Sequence, residues 1–272
     1  MSNYKNKIAQ VVSNIKQQKQ KHQQKQIEMN KINNYIRLKS IKRDNNNYAP
    51  IMNNNKYLVI MACHCDSQIK ADTIPENLKY FQFANVDIKL INSCHLPYNS
   101  IIQNVCESNN IQYLEMENTP TCDFGKWVKV LQETDYSVYD YIIFTNDSFV
   151  ITAPITHFFN LTSKNNVQLY GYNDSTQTNY HYQSYLFSLK KDAIAIFINK
   201  YNEKKDMITG QIDVITHYEL NMSKWFNTKN CFLKIANFDS HKRKNIFFTN
   251  DKLYNLLNTK MLLPFIKIKR II

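Results

Sequence analysis

Tyr139-Asp140-Tyr141-Ile142-Ile143-Phe144-Thr145-Asn146-Asp147-Ser148-Phe149 joins an apolar run to an abrupt polar stop. Residues 141–145 are aromatic or β-branched, the composition of a strand covered on both faces rather than one with a wet side. The run ends in three short oxygen-bearing residues, Asn146, Asp147 and Ser148. In an open α/β sheet, ligands bind beyond the carboxyl ends of the strands. A carboxylate at that point is able to hold a divalent cation, and the cation a diphosphate. The plainer reading is a turn or a helix cap. Taken by itself, the segment favours the plainer reading.

Outward from this strand, strand and helix alternate. Residues 56–62 are a second continuous apolar run, closed by Cys63-His64-Cys65-Asp66-Ser67. A helix over 72–83, a strand over 86–91, a helix over 100–108 and a strand over 111–114 follow. The next helix, over 123–133, carries Trp127, Val130 and Leu131 on one side. This alternation predicts parallel pairing with right-handed crossovers. Asp123 then opens a helix after one strand, and Asp147 ends the next strand 24 residues later. Asp66 follows the first strand. With those strands parallel, all three carboxylates converge on one rim, which is more than a turn needs.

Beyond Pro154, residues 155–159 are predicted to begin a short helix and residues 167–172 to form a strand, followed by a second Asn-Asp-Ser at Asn173-Asp174-Ser175. Residues 181–189 alternate as a strand does. Two helical faces come next, Ala193/Ile194/Phe197/Ile198 over 192–201 and Ile215/Tyr218/Met222/Trp225 over 211–226. A late strand over 231–236 and an apolar, basic tail over 253–272 complete the pattern.

The chain has 272 residues, 43% of them apolar, enough for a packed core. Its net charge of +12 resembles a nucleic-acid signal until it is divided. Residues 1–56 hold 12 Lys/Arg against 2 Asp/Glu, and residues 57–272 hold 22 against 20. The basicity therefore belongs to an extension over 1–56, read as partly helical or mobile, and no specific nucleic acid is expected on the 57–272 domain. Six scattered cysteines without a framework pattern predict reduced thiols. No apolar stretch approaches the ~20 residues of a membrane span, and residues 1–10 predict no signal peptide. A cytoplasmic protein is expected. The extension or the basic C-terminus suits an anionic membrane surface, at about 1 kcal/mol per basic residue.

Several segments, in order, resemble the rhamnan synthesis protein F family of polysaccharide-building glycosyltransferases. They are Glu117-Asn118 with Cys122-Asp123-Phe124-Gly125-Lys126-Trp127, Tyr139-Asp140-Tyr141 through Asn146-Asp147-Ser148, and Tyr170-Gly171. His181-Tyr182-Gln183-Ser184-Tyr185-Leu186-Phe187, Val214-Ile215 with Tyr218-Glu219, and Leu263-Pro264-Phe265-Ile266-Lys267 follow. The resemblance spans residues 57 to about 270. It implies a GT-A-like α/β fold with a Rossmann-like, mostly parallel central sheet flanked by helices. It also implies a nucleotide-sugar donor, a hexose or deoxyhexose such as rhamnose, and a glycan or glycoconjugate acceptor. The chain departs from the family after Ser148, reading Phe149-Val150-Ile151-Thr152-Ala153-Pro154 where a small residue and Gly-Pro are usual.

Glycosyl transfer requires a neutralised leaving diphosphate, a deprotonated acceptor hydroxyl and exclusion of water. Asp147 is the expected metal residue, holding Mn²⁺ or Mg²⁺, with Asn146 and Ser148 as neighbouring donor-binding groups. This is the Asp-x-Asp role with one carboxylate where two are usual. Asp123 and Lys126 are candidates for gripping the donor, and capping its own helix is nearly as good an account of Asp123. Asp66 suits a ribose or base contact, or a plain loop. Glu219, in a helix otherwise lined by core residues, is a candidate general base, against a surface ion pair. Asp174 is the competing base. His181 and Gln183 suit donor phosphate or acceptor hydroxyls, although a lone histidine is more often structural. Cys63-His64-Cys65 lacks a second ligand pair for zinc, and no glycine-rich phosphate loop exists. The rival class is a non-catalytic nucleotide- or glycan-binding module on the same fold. A weaker rival binds nucleic acid through residues 1–56.

Overall fold

The computed structural model describes residues 51, 53–94, 97–151, 155–172, 174–175, 181–226 and 265–267, the pairs and triplet at 174–175 and 265–267 by backbone alone. The extension over residues 1–50, the strand expected over 231–236 and nearly all of the 253–272 tail lie outside the described residues.

The chain runs β1 (Tyr57–Cys63), α1 (Gln68–Leu78), β2 (Val86–Asn92), α2 (Asn99–Ser108), β3 (Gln112–Glu115), α3 (Cys122–Gln132) and β4 (Tyr141–Asn146). It continues through β5 (Phe149–Ile151), α4 (Thr156–Asn165), β6 (Leu169–Gly171), β7 (Asp174–Ser175), β8 (His181–Tyr182) and β9 (Leu186–Lys190). Helix α5 (Ile194–Asn202), α6 (Gln211–Val214), a π-helical turn (Ile215–Glu219), α7 (Leu220–Trp225) and β10 (Phe265–Lys267) close it. Six strands form one sheet in the order β3-β2-β1-β4-β9-β6. The first four are parallel, and β9 is antiparallel to both of its neighbours. The parallel pairing is what the alternation of segments predicts, and the Rossmann-like, mostly parallel sheet flanked by helices is what the family resemblance implies.

Every residue of β1 and of β4 is buried, as befits apolar strands covered on both faces. Helix α1 packs on α2 and β5, whereas α3 packs on β1, β2 and α5. Trp127 of α3 is the keystone on that second side. Its ring meets Phe144 of β4 and Phe187 of β9 edge-on at centroid distances of 5.6 and 5.4 Å. Its indole N–H donates to the Thr145 carbonyl at 3.1 Å, so a large apolar side chain is buried without a stranded donor. Behind β5, the buried Asn77 amide donates to the Phe149 carbonyl (2.7 Å) and accepts from the Ile151 N–H (2.8 Å). It serves β5 as a neighbouring strand would.

Three expectations need correction. The single strand expected over 181–189 is two, β8 and β9, separated by a turn at Ser184 and Tyr185. The chain breaks there because the polar His181-Gln183-Ser184 cluster turns to meet Glu219 instead of continuing a ladder. The helix expected over 211–226 contains a π-helical turn, an insertion that hydropathy periodicity does not register. The helix expected over 72–83 begins four residues earlier, at Gln68, and ends at Leu78, where a 3-10 turn over Lys79–Phe81 takes over.

Candidate active site

Strand β1 leads to β2 on one side, and the chain later returns to place β4 on the other. The carboxyl ends of β1 and β4, with Ala62 opposite Asn146, therefore flank the point where strand order reverses, the usual position of a ligand crevice in such sheets. Two loops leave the sheet there, His64 to Ser67 and Asp147-Ser148.

Asp147 turns toward the first of these loops. Its side chain is 8% exposed. Oδ2 accepts from the His64 backbone N–H at 2.8 Å and lies 3.3 Å from the Lys70 ammonium. Lys70 also donates to the His64 carbonyl at 2.7 Å and meets Asp66 Oδ1 at 3.2 Å. Burial raises the pKa of the Asp147 carboxyl; the Lys70 charge opposes this, the Asp123 charge adds to it, and the net direction is upward. For Lys70, burial is the largest single influence and acts downward, but Asp147 and Asp66 together outweigh it and hold the ammonium pKa above its ordinary value. Asp147 is thus the centre of an ionic clasp that ties the β4 end to the β1–α1 loop.

Its neighbours face the other way. Asn146 Oδ1 accepts from both the N–H (3.1 Å) and the hydroxyl (2.6 Å) of Ser148, so the plain turn reading of Asn-Asp-Ser also holds. The Asn146 amide donates to Asp123 Oδ2 at 2.9 Å. Asp123 is brought there by Trp127, one helical turn later on the same face of α3. The Asp123 carboxylate goes to Asn146 and not to its own helix end, so the capping account fails. Lys126 Nζ lies 3.6 Å from Asp123 Oδ1, with a side chain 2% exposed. The start of α3 is held tightly: a Cβ on Gly125 would lie 2.2 Å from Thr121 Oγ1, so only glycine admits this approach. Cys122, just before Asp123, has a left-handed φ of 51°, strained for a residue with a side chain.

Asp123, Asn146 and Ser148 line a cleft of about 180 Å³ together with Ser184, Tyr185, Ile215 and Glu219. Glu219 is the last residue of the π-helical turn, a distortion that recurs at functional sites. Its Oε2 accepts from the Ser184 hydroxyl at 3.1 Å. Its Oε1 lies 3.4 Å from the Gln183 amide nitrogen and 3.7 Å from His181 Nε2. His181 and Gln183 are themselves buried and in contact at 2.9 Å.

Of the residues expected at the site, Asp123, Asn146, Ser148 and Glu219 share the cleft wall, and Lys126 lies buried beside Asp123. His181 and Gln183 stand behind Glu219. Asp66 and Asp147 meet on Lys70, outside that wall. Asp174 pairs through its backbone with Tyr182 in a separate two-stranded ribbon; its side chain is outside the described residues. Lys70 and Ser184 were not foreseen. Lys70 stands four residues after Asp66, the spacing of a helical ion pair, and that signal was legible. His64 Nδ1 lies 3.1 Å from the Ser93 hydroxyl, and the five described cysteines are free thiols. Among the described residues no group of three or more His, Cys, Asp or Glu is placed to hold a metal ion, and no helix is long and apolar enough to cross a membrane.

No family model matches the chain, so the resemblance to the rhamnan synthesis protein F family stands on its motifs. Virulence protein VirA of Vibrio anguillarum is 32% identical over 143 residues, covering 49% of this chain and 45% of that protein. The match spans about half the length of this curated relative. Among solved structures, the mannosyltransferase PcManGT from Pyrobaculum calidifontis in complex with GDP-Man and Mn²⁺ is 10% identical, with a TM-score of 0.43 over 61% of this chain and 53% of that one. The glycosyltransferase GlyE of Streptococcus pneumoniae TIGR4 is 12% identical, with a TM-score of 0.43 over 67% and 46% respectively.

Proposed function

We propose that this protein transfers a sugar from a nucleoside-diphosphate sugar to a hydroxyl of a glycan or glycoconjugate. One observation carries the reading: a single cleft beside the carboxyl end of β4 is lined both by the hydrogen-bonded group Asp123, Asn146 and Ser148 and by an oriented carboxylate, Glu219. Asp123 and Asn146 are the groups that meet the donor, with Ser148 orienting Asn146 and Lys126 as the cation beneath them. Glu219 takes the proton of the acceptor hydroxyl; the acceptor oxygen attacks the anomeric carbon, whose bond to the diphosphate oxygen breaks. The nucleoside diphosphate leaves and the configuration inverts. His181, Gln183 and Ser184 hold Glu219 in place rather than touching phosphate, with the Ser184 hydroxyl and the Gln183 amide donating to its oxygens. Asp174 is the weaker base, because it belongs to the β7–β8 ribbon. A hexose or deoxyhexose such as rhamnose is what the family resemblance implies for the donor.

The divalent cation expected on Asp147 fits the residues poorly. Mg²⁺ requires near-ideal octahedral oxygen ligation and Ca²⁺ six to eight oxygens. Asp147 Oδ2 already receives the His64 N–H and the Lys70 ammonium, and the Asp123 carboxylate is shared by Asn146 and Lys126. No step above passes through a metal.

The same engagement of Asp147 favours a second reading, a nucleotide- or glycan-binding module without turnover. Release of nucleotide from UDP-, GDP- and dTDP-sugars, with binding followed calorimetrically, separates the two. Binding with turnover that Glu219→Gln abolishes supports the transferase. Binding without turnover across the panel supports the module, and no binding at all removes both.

A further inference from the structure

We propose that the Lys70 ammonium stands in this protein where a metal-dependent transferase would hold its cation, so that the donor diphosphate is met by Lys70 and no metal is needed. The inference rests on the nucleotide-sugar reading above and deepens it.

Three oxygens from two chain segments converge on Nζ: the His64 carbonyl at 2.7 Å, Asp66 Oδ1 at 3.2 Å and Asp147 Oδ2 at 3.3 Å. This is the coordination of a cation site in miniature, with a positive charge held between the loops that leave β1 and β4, at the reversal of strand order. The charge also comes at the right place in the chain. Lys70 lies on the first turn of α1, so its backbone is fixed by a helix and only its side chain must span the crevice.

The three contacts are not equivalent. The His64 carbonyl and Asp147, whose side chain is 8% exposed, are interior partners. The Asp66 side chain is 47% exposed, and a solvated ion pair of this kind contributes little. A phosphate oxygen can therefore replace Asp66 at Nζ, while His64 and Asp147 keep the ammonium aimed. The exchange conserves the local arrangement of charges: one anionic oxygen leaves and another arrives. A dication brought to the same point would instead meet the Lys70 ammonium, with Asp147 and Asp66 already engaged by it. Lysine is a point charge able to face a diphosphate in this way.

The test uses the full chain and UDP, GDP and dTDP as probes, titrated calorimetrically in EDTA and in Mn²⁺. The expected result is that one nucleoside diphosphate binds equally well in both. The double variant Lys70→Met/Asp147→Asn removes both interior charges together, which protects folding. It should bind that diphosphate about tenfold to a hundredfold more weakly while its affinity for the parent nucleoside is unchanged. Equal loss for nucleoside and diphosphate would reveal a merely structural role and overturn the proposal. So would binding that requires Mn²⁺, which leaves the transferase reading intact, or undiminished diphosphate binding by the double variant. Failure of all three nucleotides in both buffers sinks the nucleotide-sugar reading itself.

Discussion

Two carboxylates, one buried just beyond the end of β4 and one lining the cleft beside it, are treated in opposite ways. Asp147 is enclosed and matched by a full charge, with contacts of 2.8 and 3.3 Å to the His64 N–H and Lys70. Glu219 is also sheltered, yet the groups that donate to it are the Ser184 hydroxyl at 3.1 Å and the Gln183 amide at 3.4 Å. The first arrangement consumes the charge in holding two loops together. The second orients a carboxylate without neutralising it, as a proton acceptor requires. Sequence position gives no hint of this division, since Asp147 ends a central buried strand and Glu219 ends a distorted helix far along the chain. What separates them is whether the partner carries charge.

The sharpest way to break the contrast is Asp147→Ala. Removing one member of a buried pair leaves Lys70 and the His64 N–H without their interior acceptor, and should cost about 3–5 kcal/mol, read as a lowered urea midpoint with unchanged slope. A loss below about 1 kcal/mol would mean that the clasp is a surface ion pair in effect. Glu219→Gln should do the reverse. It keeps shape and hydrogen bonding, so the unfolding curve should overlay the wild type within about 0.5 kcal/mol. Turnover of a nucleotide sugar should fall about 10²–10⁴-fold. A variant that unfolds early while retaining activity would exchange the roles assigned to the two acids.

A smaller effect comes from pH. The Lys70 pKa is raised in the folded protein, so its contribution to stability is fully present below the unfolded value near 10.5 and is lost as pH rises through the folded one. The Asp147 pKa is raised as well, so its contribution is greatest below the unfolded value of 3.8 and falls as pH rises through the folded one. Urea titrations of the wild type and Lys70→Met at alkaline pH should show a steeper decline for the wild type. Parallel curves would mean that Lys70 titrates as it does in the unfolded chain.

Much of the frame was legible because it depends on period and composition. The apolar runs at 56–62 and 141–145 read correctly as central strands, the second as one covered on both faces, and their spacing with α3 placed Asp123 beside the end of β4. Side-chain direction was less accessible. In Asn146-Asp147-Ser148 the outer two residues face the cleft and the middle one faces the β1–α1 loop, a split decided by which neighbour offers a donor. The π-helical turn at Ile215–Glu219 escaped for a related reason: one extra residue in a turn leaves the apolar spacing of Ile215, Tyr218 and Met222 nearly intact. Lys70 was overlooked although its spacing from Asp66 is that of an ion pair, because its decisive partner lies in a distant segment.

Ser148→Ala tests the quietest part of the contrast. The hydroxyl donates to Asn146 Oδ1 at 2.6 Å, but the Ser148 N–H makes a second bond to the same oxygen at 3.1 Å, so Asn146 keeps one restraint when the hydroxyl is gone. Stability should change by no more than about 1 kcal/mol. If Ser148 only orients Asn146, nucleotide-sugar affinity should fall by less than about tenfold, because the remaining bond still directs the Asn146 amide toward Asp123. A loss as large as that of Glu219→Gln would show that the hydroxyl itself touches the donor. The group formed by Asp123, Asn146 and Ser148 would then contribute directly to transfer, and the division of labour between it and Glu219 would be less sharp than the charges of their carboxylates suggest.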